Sequence, residues 1–288
     1  MRGADDMAQE NQRLRKELSQ LHARIDALES SRWWRLHPRF AFRRLRHRTG
    51  NGAVDLRTTD GTHELPLDFD ETDAELCRLV GPYTMTTPPR IYALRRAVEY
   101  IATGPVEGAV VECGVWRGGS MMAVALTLLR LGVADRDLYL FDTFSGMSDP
   151  GDEDVKHTGE RAADVLAGAS RESHDWAVAP IEQVREAVLG VGYPEDRVHF
   201  VQGRVEDTVP ANAPAEIALL RLDTDWYSST KHELVHLYPR LGRGGVLIVD
   251  DYAYWLGARQ AVDEYIDEQG LSLLLNRIDY TARLALKP

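Results

Sequence analysis

Three acidic residues carry the strongest chemical signal in this chain of 288 residues: Asp223 in "LLRLDTDWYSST", and the adjacent Asp250 and Asp251 in "GGVLIVDDY". Each follows an apolar run, Ile217 to Leu222 or Val246 to Val249, that reads as a buried strand. The acids therefore emerge at strand ends, where open α/β sheets bind ligands. Separations of 27 and 28 residues match a strand, helix, strand step that returns the chain to the same sheet edge. Carboxylates gathered there repel one another unless a cation sits among them, and oxygen-only ligation selects a hard ion such as magnesium. Such an ion keeps positions open for water or a diol and acidifies a bound hydroxyl, and Asp223 could then take the proton as a general base. The competing reading makes "VDDY" a solvated turn and "LDTDWYSST" a helix cap, with Ser228 or Ser229 at the start of the next helix. It is the preferred reading for Asp225, and the metal is preferred for the other three acids.

A second constellation lies upstream. In "VECGVWRGGS", Gly114 lets the chain turn off a strand, and Gly118 and Gly119 keep the following helix start bare enough for a ligand to approach the backbone. The spacing is not that of a dinucleotide fingerprint. Glu112, just before the turn, would repel a pyrophosphate but can pair with a cationic amine, which favours S-adenosylmethionine. Asp142 ends the next strand, 28 residues after Gly114, where an acid bridges ribose hydroxyls. Gly203 and Arg204 follow a third strand, where an adenine ring would lie. Singly, such residues are more often turn chemistry; three in order on successive strands point to one cofactor.

The elements that must position these residues alternate. Strands are expected at 109–113, 137–141, 197–201, 217–222, 245–249 and near 282–286, and helices at 118–131, 181–190, 229–240 and 257–268. Helical spacing also runs from Glu75 to Thr103, broken by the prolines around "GPYTMTTPP". This alternation means parallel strands with crossover helices. The acidic, glycine-bearing stretch from Ser145 to Pro180, with a short helix from Arg161 to Leu166, is a candidate lid.

Residues 1–30 hold Met7, Leu14, Leu18, Leu21, Ile25 and Leu28 in heptad steps, with Asn11 at a core position. That is the pattern of a coiled coil in a homodimer or higher oligomer, or else of a solvated amphipathic helix. Residues 31–73 form a basic aromatic segment and a flexible connection. Ser31 to Arg48 carries seven arginines, two tryptophans and no acid, which suits either an anionic membrane surface or a plain linker. The remaining 74–288 are expected to form the domain that binds S-adenosylmethionine.

Residues 1–48 carry 12 basic against 6 acidic residues and the rest 22 against 39, so the body repels nucleic acid. Cys77 and Cys113 lie in different elements, which suits a reducing compartment. No apolar run is long enough for a membrane span or a signal core. A cytoplasmic protein is expected, with peripheral membrane contact through 31–48 open.

The motifs "TMTTPPRIYAL", "VECGVWRGGSMM", "LFDTFSGM", "LLRLDTDWYSSTKHELVHLYPRL", "GGVLIVDDY" and "ARQAVDEY" resemble those of the macrocin/mycinamicin-type (TylF-like) sugar O-methyltransferases, from about Thr84 to the carboxyl terminus. The resemblance implies an α/β class I methyltransferase fold, a Rossmann-like, mostly parallel sheet with helices on both faces. It also implies S-adenosylmethionine and magnesium as cofactors, with the metal on Asp223, Asp250 and Asp251 and Asp223 as base. Cofactor contacts would come from Met85, Glu112, Gly114, Asp142, Thr143, Gly203 and Arg204. The amino-terminal coiled coil and Arg/Trp segment depart from the antibiotic-tailoring members, and "LESSRWWRLHPRF" is similar to a segment of bacterial enzymes that build surface glycans. The expected substrate is a sugar hydroxyl of a glycoside, glycolipid or surface polysaccharide. A phenolic or catechol methyltransferase with the same site, and a non-catalytic scaffold recruited to membranes, are the alternatives. His157, His174, Tyr252, Tyr254, Trp255 and Arg259 are left without a role.

Overall fold

The structure is a computed structural model that describes residues 65–288. The expected coiled coil, basic aromatic segment and most of the linker lie outside the described residues. The chain enters through α1 (Glu71–Val80), whose capping box is complete: the Asp73 N–H donates to Asp70 Oδ1 at 2.8 Å, and the Asp70 N–H to Asp73 Oδ2 at 3.0 Å. The buried Arg95 of α2 (Pro88–Thr103) pairs with Asp73 and fixes the two helices together. Pro88 and Pro89 stand at the first positions of α2, where a missing N–H costs nothing.

The central sheet contains β1 (Ala109–Cys113), β2 (Leu138–Asp142), β3 (Val198–Gln202), β4 (Ile217–Leu222), β5 (Leu241–Val249), β6 (Asn276–Arg277) and β7 (Arg283–Leu286). Their spatial order is β3-β2-β1-β4-β5-β7-β6. β1 to β5 pair in parallel, and the mostly parallel sheet expected from the sequence is present. The helices between them are α3 (Gly119–Arg130), α4 (Ala162–Gly168), α5 (Ile181–Leu189), α6 (Val205–Thr208), α7 (Tyr227–Leu237) and α8 (Leu256–Glu268). Every residue of β1 and β4 is buried, because helices cover both faces. Val111, Cys113, Leu220 and Leu222 point to the face of α7 and α8, where Leu234, Leu237, Val262 and Tyr265 meet them. By alternation, Glu112 and Arg221 point to the opposite face, toward α2. Both cysteines are buried thiols.

The carboxyl-terminal strand is the antiparallel part of this mostly parallel sheet. β7 runs antiparallel to β5 and to the two-residue β6. Only five residues join β6 to β7, closed by the Ile278 N–H on the Ala282 carbonyl at 3.1 Å, and so short a connection joins only antiparallel neighbours. β6 is two exposed polar residues and gives no periodic signal.

At the switch point, where the strand order reverses between β1 and β4, the two strand ends nearly touch. Gly114 has φ +83°, and a Cβ there would overlap the carbonyl of Asp223. Gly132, at φ +74°, has open space around it. Gly114→Ala is expected to cost at least about 2 kcal/mol and to lower Tm by roughly 4–8 °C. Gly132→Ala carries backbone strain alone and should shift Tm by less than half as much; equal shifts in thermal unfolding would remove the close-approach argument.

Candidate active site

The carboxyl ends of β1, β2, β4 and β5 open into a cavity of about 390 Å³. Its lining includes Met85, Gly114, Asp142, Thr143, Gly203 and Arg204 of the expected cofactor set, together with Asp223, Asp250 and Asp251. Glu112 is not in the wall. Its side chain is 1% exposed on the α2 side of β1, with Oε1 accepting from Arg221 Nη1 at 2.6 Å and Oε2 without a partner among the described residues. Glu112, expected to pair with a cofactor amine through water or directly, therefore stands just behind the cavity wall, with one carboxylate oxygen unpaired among the described residues. The strand alternation that puts Cys113 toward α7 points Glu112 the other way.

On the cofactor side, Asp142 holds the turn after β1. Its Oδ2 accepts the N–H groups of Val115 and Trp116 at 2.6 and 2.9 Å, and Oδ1 that of Phe144 at 2.7 Å. Burial nonetheless raises its pKa, the three amides offsetting only part of that push. Thr143 Oγ1 donates to the Gly146 carbonyl at 2.6 Å and shapes the next turn. The Gly203 N–H donates to the Asp142 carbonyl at 3.0 Å, so the ends of β2 and β3 are tied together. Trp116, Phe144, Ala177 and Asp225 have left-handed backbones although none is glycine. Trp116, Ala177 and Asp225 line the cavity, and strained residues of this kind cost of order 1–3 kcal/mol and cluster at functional sites.

On the metal side, Asp223, Asp250 and Asp251 offer oxygens that all lie within 4.8 Å of one another. In an octahedral magnesium shell neighbouring oxygens stand about 2.9 Å apart and opposite ones about 4.2 Å, so the three acids are near enough to share an ion once their oxygens draw together. Two arginines enter the same network. Arg221 is fully buried and donates to Asp223 Oδ2 at 2.6 Å and to Asp250 Oδ1 at 2.7 Å. Arg90 pairs with Asp250 Oδ2, and at 2.8 Å with Asp279 in the β6–β7 turn. Burial pushes Asp250 up, but Arg221 and Arg90 more than offset it and hold its carboxyl below the ordinary range. Asp223 and Asp251 go the other way. Burial raises Asp223, Arg221 compensating only in part; burial raises Asp251, and the neighbouring Asp225 and Asp250 add to it. Asp225 lies beside them in the cavity wall, hydrogen-bonded to Asp251, and burial pushes it to about 7.

Asp225, for which a turn or cap role is expected, stands in a left-handed turn two residues before α7, and its side chain also lies in the cavity wall beside Asp251. Arg221 and Arg90 carry no sequence signal of their own; the only trace of Arg221 is a charge inside an otherwise apolar strand. Of the residues left without a role, His174, Tyr254 and Trp255 line the cavity. So does much of the expected lid, through Gly146, Met147, Ser148, Lys156, Val165 and Leu166.

A glycine turn and an acid on β1 and β2, facing an acid cluster on β4 and β5 across one cavity of a doubly wound sheet, define an enzyme of the class I methyltransferase fold. The solved structure of the O-methyltransferase NovP superposes with a TM-score of 0.63 at 31% identity, over 71% of this chain and 82% of that one. The calicheamicin methyltransferase CalS11, at 20% identity and a TM-score of 0.54, shares the fold over 78% of this chain and 94% of its own. The macrocin-O-methyltransferase (TylF) family matches residues 66–285, and the chain belongs to that family. It is 35% identical to the 8-demethyl-8-(2,3-dimethoxy-alpha-L-rhamnosyl)-tetracenomycin-C 4'-O-methyltransferase of Streptomyces olivaceus, over 69% of this chain and 73% of the relative. It is 33% identical to the mycinamicin III 3''-O-methyltransferase of Micromonospora griseorubida, over 76% and 87%. The protein is an O-methyltransferase. Among the described residues, no helix is long and apolar enough to cross a membrane.

The raised carboxyls set a pH dependence. Asp225 and Glu112, both pushed to about 7, hold more protons folded than unfolded between about pH 4 and pH 7, so stability falls as pH rises through that window. Asp250 and Asp279, both lowered, lose their contribution only on acidification below the ordinary carboxylate range. Metal-free protein is thus expected to melt lower at pH 8 than at pH 5.5, and added magnesium to raise Tm more at pH 8. Differential scanning calorimetry checks this, and a Tm that climbs from pH 5.5 to 8 without metal would contradict it.

Proposed function

We propose that this protein transfers the methyl group of S-adenosylmethionine to a sugar hydroxyl of a glycoside, glycolipid or surface polysaccharide, with magnesium held by Asp223, Asp250 and Asp251. The observation that carries the reading is the gathering of those three acids in the same cavity as the glycine turn and Asp142. The donor set is all oxygen, as a hard cation requires, and the relatives named above methylate a rhamnosyl compound and a mycinamicin. Met85, Gly114, Asp142, Thr143, Gly203 and Arg204 line the end of the cavity suited to the cofactor, with Glu112 acting from behind through Arg221. The cofactor supplies an electrophilic methyl on a sulfonium, and magnesium lowers the pKa of the hydroxyl it binds.

The chain's own residues then do three things. Tyr254 and Tyr280 in the cavity wall offer faces on which the apolar side of a sugar ring packs. The cover from Gly146 to Leu166 keeps water from the reacting centre. Asp223 accepts the proton of the acceptor hydroxyl. A second reading assigns that proton to Asp225, because Asp223 already accepts from Arg221 at 2.6 Å whereas Asp225 is raised to about 7 by burial, close to the pKa an efficient general base needs.

The test uses a panel of glycosides, with catechols as the competing acceptors, and follows methyl transfer by mass spectrometry. Chelation should abolish turnover on glycosides, and magnesium should restore it. Asp223→Asn and Asp225→Asn separate the two bases: the one that holds the proton loses about 10²–10⁴ in kcat, and Asp225→Asn should leave magnesium affinity near that of the unaltered protein. Turnover on phenols alone, or full turnover in the presence of chelator, would overturn the reading.

A further inference from the structure

We infer that Asp154, in the segment covering the cavity, is a positioning residue: it caps α7 from a distance and so fastens the cover to the acid loops. α7 begins at Tyr227, two residues past Asp225, and no side chain of its own start caps it. Ser228 and Ser229, the caps suggested by sequence, make other bonds: Ser229 Oγ donates to the Trp226 carbonyl at 3.1 Å, and Ser228 Oγ lies 3.4 Å from Glu206. The cap comes instead from 73 residues upstream. Asp154 Oδ1 accepts the Tyr227 N–H at 2.7 Å, and Oδ2 accepts the Gly151 N–H at 2.7 Å. The Asp154 carbonyl accepts the N–H of Ala162, the first residue of α4, at 2.8 Å. One residue, 1% exposed, therefore joins the turn of the cover, the start of α4 and the start of α7.

The other acid loop is fastened beside it. The Leu256 N–H donates to the Val155 carbonyl at 2.8 Å, and the His157 N–H to the Tyr254 carbonyl at 2.9 Å. Gly257 makes room for the joint, since a Cβ there would overlap Asp154 Oδ1. Trp226 Nε1 donates to the Ser148 carbonyl at 3.0 Å. Ala162 and Leu166 of α4 pack with Trp226, Trp255 and Ala258. Trp226 directly follows Asp225, and Trp255 follows Asp251 by four residues, so each contact sits within a few positions of an acid. Lifting the cover would strip the cap from α7 and free the Trp226 ring; seating it restores the charge-assisted bond at the positive end of the helix and the Trp226 bond to the Ser148 carbonyl. The cover and the left-handed turn at Asp225 hold each other in place.

This inference rests on the proposed site only in that Asp223 and Asp225 belong to it, and its test needs no turnover. Hydrogen exchange is measured on the full chain as it stands and on Asp154→Ala and Asp154→Asn, with magnesium affinity by calorimetry alongside. In Asp154→Ala, amides of 148–166 and of 226–230 should both exchange about tenfold faster, the size expected for loss of a cap, while β1 to β5 keep their protection. Magnesium should bind several-fold more weakly. Asp154→Asn keeps an acceptor for the Tyr227 N–H and should recover most of the protection at 226–230. If Asp154→Ala does not fold, Asp154→Asn decides: Tyr227 protected and Gly151 accelerated supports the inference, and neither or both changing opposes it. Acceleration confined to 148–166, or spread evenly through β1 to β5, overturns the coupling. A chain that binds no magnesium removes the metal reading and leaves the exchange result to decide the clasp alone.

Discussion

A buried guanidinium holds the strand ends in register with their chemistry. Arg221 lies within β4 and reaches Glu112 on β1, Asp223 at its own strand end, Asp250 at the end of β5 and, at 3.2 Å, the Thr86 hydroxyl before α2. Removing such an ion from water costs several kcal/mol, and only close, well-aligned partners offset it. The planar fork of arginine can serve several acceptors at fixed angles, which the single ammonium of a lysine cannot. The position of Asp223 relative to Asp250 is thereby set from beneath, by a residue that does not itself line the cavity.

Backbone geometry sets the other half of the site. Gly114 lets β1 turn away where β4 ends, since any side chain there would overlap Asp223. The turn it starts is held by the Asp142 carboxylate on two successive amides. A cofactor site and an acid site can share one cavity because the strands that carry them are adjacent at this crossing. The left-handed turns at Trp116 and Asp225 aim side chains into the space between the two. Such turns cost free energy, and here Asp142 on one side and the Asp154 cap on the other supply the fixed contacts that keep them.

Much of this is legible in the sequence, and what is not has physical reasons. Strands β1 and β4 are found to the residue because each is an apolar run, broken by a single charge, with abrupt ends. The gathering of Asp223, Asp250 and Asp251 follows from strand-end position and one crossover spacing. That the turn residue Asp225 also lines the cavity is not legible, because its direction depends on a positive φ that no side-chain pattern announces in a non-glycine residue. The burial of Glu112 behind the wall is not legible either, because a strand's two faces alternate and which of them meets α2 is fixed by packing. The cap on α7 is out of reach of local reading altogether, since its acceptor and donor are 73 residues apart.

The arrangement of charge explains why the acids divide into two sets. Asp250 is held on both oxygens by Arg221 and Arg90, and Asp279 also answers Arg90. Burial of these carboxylates is offset within the protein, so Asp250 and Asp279 stay ionised below the ordinary range. Asp251 and Asp225 have no arginine within ion-pair reach among the described residues, and they meet burial by sharing a hydrogen bond, both raised. Asp223 stands between the sets, bonded to Arg221 on one oxygen and crowded by Asp250 and Asp251. A divalent cation gains most where carboxylate charge is least compensated. Among the described residues the carboxyls least compensated by arginine are those of Asp251 and Asp225, which line the cavity. The two arginines therefore do more than stabilise the sheet: they satisfy Asp250 on both oxygens, and leave Asp251 and Asp225 to meet burial by holding protons and sharing a hydrogen bond.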